Sequence, residues 1–102
     1  FQSVQHDLAD MRLEFESARA LTWKAARMAD ADADDASAWA AMAKVKATEV
    51  AAECAQIGVK LHGGRGILHD RRITRVYRDV RAPMIYEGVN DIQRDLIYKQ
   101  SK

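Results

Sequence analysis

At 102 residues, 48% of them apolar, the chain is long enough for a single helical domain with one core. One proline, five glycines and abundant alanine exclude a β-sandwich composition, and a net charge of +1 leaves no global field to recruit nucleic acid or a membrane. A single cysteine, Cys54, excludes an internal disulfide and fits a reducing compartment, and no run nears the roughly 18 apolar residues of a membrane span.

The first pattern begins at once. Val4, Leu8, Met11, Phe15 and Ala18 recur at spacings of three and four, and Leu21, Ala25 and Met28 extend the same helical face until it fades at Asp30. The aspartate-rich stretch from Asp30 to Asp35 is turn-prone, and Asp34 or Asp35 can cap the next helix. That second long helix is predicted from about Ala36 to Leu61, burying Trp39, Met42, Val45, Val50, Cys54, Ile57 and Leu61. Its alanines and Gly58 permit close approach of another helix. Trp23 and Trp39 read as packing residues.

His62-Gly63-Gly64-Arg65-Gly66 stops that helix, with glycine suited to a left-handed cap. Its backbone N–H groups could also meet a phosphate or an adenine, but the Rossmann and Walker glycine loops follow a strand, so the cap is the simpler reading. A short helix is predicted over Ile73 to Val80. Arg71, Arg75 and Arg78 share one face there, which reads as a solvated or salt-bridged surface ahead of a nucleic-acid site. His62, His69 and Cys54 do not have zinc-site spacing, and no metal is expected.

Pro83 should end the short helix by biasing Ala82 away from helical geometry. A last helix is predicted over roughly Val89 to Lys99, with Ile92, Leu96 and Ile97 inward and Asn90 or Asp91 as its cap. The sum is an all-α, antiparallel four-helix bundle of two long helices, one short and one terminal. The chain opens at Phe1 inside a helical pattern and closes on a polar Lys99-Gln100-Ser101-Lys102, so the expectation is the tail portion of a longer protein. Between the short and last helices, Tyr86-Glu87-Gly88 holds a carboxylate between an aromatic ring and a glycine. A carboxylate at such a junction is a candidate general base.

Several stretches together are similar to one family. Phe1-Gln2 and Leu8-Ala9-Asp10-Met11 open the likeness; Leu61-His62-Gly63-Gly64-Arg65-Gly66 and Tyr77-Arg78-Asp79 continue it. Ile85-Tyr86-Glu87-Gly88 and Ile92-Gln93-Arg94 close it, with Glu87 placed 24 positions after Gly63. With these motifs the chain resembles the C-terminal helical domain of the acyl-CoA dehydrogenases. The resemblance implies a larger subunit with an N-terminal helical and a middle β-domain, bound FAD, and a homodimer or homotetramer. It implies α,β-dehydrogenation of an acyl-CoA thioester, with Glu87 removing the α-proton, a hydride passing to flavin, and electrons leaving to electron-transfer flavoprotein or a similar acceptor.

The resemblance also assigns the neighbours of that base. Tyr86 would line the acyl pocket and Gly88 would let the thioester approach. Gly63 and Gly64 would contact FAD, Gly64 that of a neighbouring subunit. Lys60 stands where relatives carry a glutamine that also touches that flavin, Val89 where threonine is common, and Asp91 where Glu or Gln is usual. Lys60 and Val89 motivate an alternative, a family member that no longer dehydrogenates and serves as a helical assembly or binding subunit. The compartment implied is the cytoplasm in a bacterium or the mitochondrial matrix in a eukaryote.

Overall fold

A computed structural model describes residues 1–86 and 88–102; Glu87 lies outside the described residues. Four α-helices follow in order: α1 Gln2–Asp30, α2 Ala36–His62, α3 Arg72–Asp79 and α4 Asn90–Gln100. Short 3₁₀ turns at Gly63–Ile67 and Ala82–Met84 join the last three. The four-helix, all-α reading of the sequence holds, and each helix starts and stops within about one residue of its expected bounds.

α2 is the spine. α1 runs antiparallel along it, a register marked by Lys46 Nζ to Glu14 Oε2 at 2.7 Å and Lys60 Nζ to Asp7 Oδ2 at 2.8 Å. α4 lies antiparallel on α2 as well, with Gln100 Nε2 donating to Ser37 Oγ at one end and Asn90 Nδ2 to Thr48 Oγ1 at the other. α3 docks where Gly58 leaves room for Ile73; a Cβ on Gly58 would stand 2.6 Å from Ile73 Cδ1.

The core is built from small side chains. Buried positions are Ala18 and Ala25 on α1 and Ala38, Ala41, Ala43, Val45, Val50, Ala55 and Gly58 on α2. Alanine brings helix axes close and loses no side-chain entropy on ordering. The large residues expected inside are displaced outward: Trp39, Met42, Cys54, Ile57 and Leu61 are only half-buried. Leu8, Phe15 and Ile92 depart further, being 52%, 51% and 61% exposed. The radius of gyration is 15.9 Å, against about 13 Å for a compact domain of this length. Wide apolar helix faces are therefore uncovered.

The helix ends correct several expectations. Asp35 occupies the N-cap of α2, but its carboxylate makes no capping bond and instead accepts Trp39 Nε1–H at 3.1 Å. α3 stops at Asp79, before Pro83 can act, and the proline sits inside the Ala82–Met84 turn with Ala82 beside it. Val89, not Asn90 or Asp91, is the N-cap of α4. Gly63 does take positive φ (+62°), yet its ψ of −140° lies outside the left-handed helical well, and a 3₁₀ turn follows. Arg71 precedes α3 rather than sharing a face of it, and Arg78 Nη2 lies 3.0 Å from His69 Nδ1.

Gly66 is the tightest glycine packing on α2. A Cβ there would meet the Val59 carbonyl oxygen at 2.5 Å and Val59 Cγ1 at 3.0 Å. Backbone cannot give way as a side chain can, so Gly66→Ala is expected to cost about 1–3 kcal/mol in urea unfolding. Gly58→Ala should be near neutral, since Ile73 can turn aside and alanine gains about 1 kcal/mol of helix propensity. Equal losses at the two glycines would contradict this packing.

Candidate functional site

Two stretches carry the site residues named from sequence, and the fold holds them apart. The first is the glycine turn at the C-terminal end of α2. Gly63 and Gly64 are exposed, with nothing within 4 Å of the place a Cβ would take. Thr74 Oγ1 ties the turn to α3, donating within reach of Gly66 O (2.9 Å) and Leu68 O (2.7 Å). Lys60, one turn earlier, is paired with Asp7 on α1. Its ammonium thus makes a partly exposed contact between α1 and α2.

The second stretch runs from Tyr86 to Asp91. Tyr86 is exposed, its N–H bonded to Ala82 O at 3.1 Å. Glu87 is outside the described residues. Gly88 has φ +99°, a conformation that favours glycine, and the Gln93 side-chain amide lies against its open face. Val89 is 44% exposed, and Asp91 makes a long 3.7 Å pairing with Arg94 Nη1.

Beneath this stretch lies a polar cluster that sequence periodicity did not reveal. Lys44 Nζ donates to Gly88 O at 2.8 Å and to Asn90 Oδ1 at 2.5 Å. Asn90, only 5% exposed, donates from Nδ2 to Thr48 Oγ1 (3.0 Å) and Glu49 Oε2 (3.3 Å). Glu49 Oε1 accepts Arg94 Nη2 at 2.6 Å. The Arg94 guanidinium holds the Glu49 carboxyl below its ordinary 4.5, with Asn90 assisting against partial burial, and the same bond holds Arg94 up. The signal available in the sequence was Lys44 and Thr48, four apart on one face of an otherwise alanine-lined helix.

Lys44 lies 18 residues before His62, the last residue of α2, so about 27 Å of helix separates the two stretches. The described residues of the two stretches do not line a common pocket. Neither stretch lines the apolar cleft of about 360 Å³ between α1 and α2, formed by Phe15, Trp23, Val50 and Cys54 among others. Burial, with the nearby Glu53 and Glu14 charges, pushes the Cys54 thiol up and away from reactivity. Among the described residues no three His, Cys, Asp or Glu side chains gather as a metal site. No described helix is long and apolar enough to cross a membrane.

A helical domain with a glycine turn and a Tyr-Glu-Gly junction defines the class. The family model for the acyl-CoA dehydrogenase C-terminal domain matches residues 1–102, and the chain belongs to that family. It is 42% identical over 96 residues to the rat short-chain specific acyl-CoA dehydrogenase, mitochondrial, covering 94% of this chain and 23% of that protein. The fold superposes on butyryl-CoA dehydrogenase from Megasphaera elsdenii with a TM-score of 0.94 at 34% identity, covering 99% of this chain and 26% of that one. It superposes on the FAD complex of PigA with a TM-score of 0.93 at 29% identity, covering 99% and 26%. The chain spans about a quarter of the length of these relatives.

The Glu49–Arg94 pair generates a pH expectation. A carboxyl held low in the folded state adds stability above its unfolded pKa and loses it as pH falls through the folded value. Resistance to urea should therefore fall as pH drops from about 5 to about 3, and Glu49→Gln should show a shallower decline over that window. Parallel declines for the two proteins would show that the pair does not link folding to protons.

Proposed function

We propose that this chain is the C-terminal domain of an FAD-dependent acyl-CoA dehydrogenase, acting on the α and β carbons of an acyl-CoA thioester. The observation that carries the reading is the family match over the whole chain, with Tyr86-Glu87-Gly88 at its expected place after the glycine turn. The remaining subunit would supply an N-terminal helical and a middle β-domain, and copies would assemble as a homodimer or homotetramer.

The residues present fit a flavin. Gly63 and Gly64 offer exposed backbone with open space above it, which suits a flat ring system or a phosphate. Gly64 and Gly63 would hold FAD, while Lys60, paired with Asp7, contributes no amide. Bound FAD would accept the hydride from the β-carbon, and electron-transfer flavoprotein or a similar acceptor would take the electrons onward.

Glu87 acts as the general base: a carboxylate oxygen takes the α-proton, and the α-carbon electron pair becomes the new double bond. The thioester α-proton is weakly acidic, so a water-poor site must favour the enolate-like charge. Tyr86 would border the acyl chain and exclude water. Gly88, lacking a side chain, lets the thioester reach the backbone beside the base. The separation of the glycine turn from the Gly88 junction along α2 agrees with a flavin touched by two subunits, since one chain does not bring both ends to one place.

In the full-length protein, Glu87→Gln is expected to keep bound flavin and to slow its bleaching by acyl-CoA at least about 100-fold. Stopped-flow absorbance measures both. Bleaching at the wild-type rate would overturn Glu87 as the base. A colourless wild-type protein would instead favour the non-dehydrogenating assembly subunit, for which the Lys60 pairing is the motivating contact.

A further inference from the structure

The chemistry above makes no use of the cluster under Gly88, and apolar packing does not account for it. We propose that Lys44, with Asn90, is a positioning residue that fixes the chain segment carrying the base; this rests on reading Glu87 as that base. Lys44 rises from the small-residue face of α2, beside buried Ala41, Ala43 and Val45. Its ammonium holds two acceptors that flank Val89, the Gly88 carbonyl and the Asn90 side-chain oxygen. The segment is thereby pinned to the most extensively packed helix of the fold.

Each bond direction in the cluster is determined. Thr48 Oγ1 gives its proton to the Lys44 carbonyl at 2.7 Å, so its lone pairs are open to the Asn90 amide. Asn90 spends both amide protons on Thr48 and Glu49 and its oxygen on Lys44, which orients the amide without ambiguity. Upstream, Ile85 N–H and Tyr86 N–H both bond to Ala82 O, at 2.9 and 3.1 Å. Tyr86 and Gly88, the described residues on either side of position 87, are thus each held by a hydrogen bond.

Stability alone is a poor reason for this lysine. A cation at the N-terminal end of α4 opposes the helix macrodipole, and an alkyl side chain would pack on the alanine face without desolvating a charge. Geometry is the better reason. A displacement of about 1 Å at a reacting group can cost on the order of 100-fold in rate.

The test uses the full-length flavoprotein with butyryl-CoA as the probe. Lys44→Met keeps the stem and removes the donor, and Lys44→Arg keeps a cationic donor. In Lys44→Met, amide exchange of residues 85–91 should quicken about tenfold while α1 and most of α2 keep their protection. Flavin bleaching should slow about 100-fold, with flavin content unchanged and half-saturating butyryl-CoA shifted far less than the rate. Lys44→Arg should recover most of that rate. Should Lys44→Met not fold, Asn90→Ala carries the same expectations.

Unchanged exchange in the segment overturns the pinning. Faster exchange with wild-type bleaching overturns its use in positioning the base. Should Glu87→Gln bleach normally, the base assignment fails separately, and the exchange measurement still decides whether Lys44 holds this segment.

Discussion

Close packing along α2 is the constraint on which the other features depend. α1, α3 and α4 all pack against this one helix, through alanines, Val45, Val50 and Gly58. Small residues let the helices approach, but each buries little area, at about 25 cal/mol per Å² of apolar surface removed from water. No large side chain is fully buried among the described residues. Register then depends on polar pairs set at intervals along the spine, from Asp7–Lys60 at one end to Ser37–Gln100 at the other.

Those pairs are not equivalent. Lys60–Asp7 and Lys46–Glu14 join partly exposed groups, where an ion pair contributes about 0–1 kcal/mol and chiefly selects alignment. The Lys44–Asn90–Thr48 cluster is more enclosed, and every buried side-chain polar atom among the described residues has a partner. A satisfied interior network specifies one arrangement strongly because a half-satisfied one is costly. The surface pairs align helices; the inner cluster fixes a loop.

Local rules made the helices legible. Three-and-four spacing and glycine punctuation placed α2, α3 and α4 within a residue of their bounds, since those signals act within a few positions of the chain. Burial was less legible, because Leu8, Phe15 and Ile92 obey helical spacing yet are left about half exposed or more. Spacing reports which face is apolar, not what lies against it. Asn90 misled for a related reason: its residue type suits a cap, but α2 offers it three partners some forty residues away in sequence. Tyr86, Gly88 and the Gly63–Gly64 turn were recognisable as motifs, whereas Lys44 acquires meaning only when α4 is laid on α2.

The length of α2 between the glycine turn and the Gly88 junction has a genetic consequence on the proposed reading. If each site draws its flavin-holding turn from one copy and its carboxylate from another, two different defects need not silence a mixed assembly. A copy altered at Gly64 still offers a sound Glu87, and a copy altered at Glu87 still offers a sound turn. Pairing the two leaves one site with both parts intact and one with neither. Two individually inactive alleles should then complement each other, while two alleles with defects in the same stretch should not.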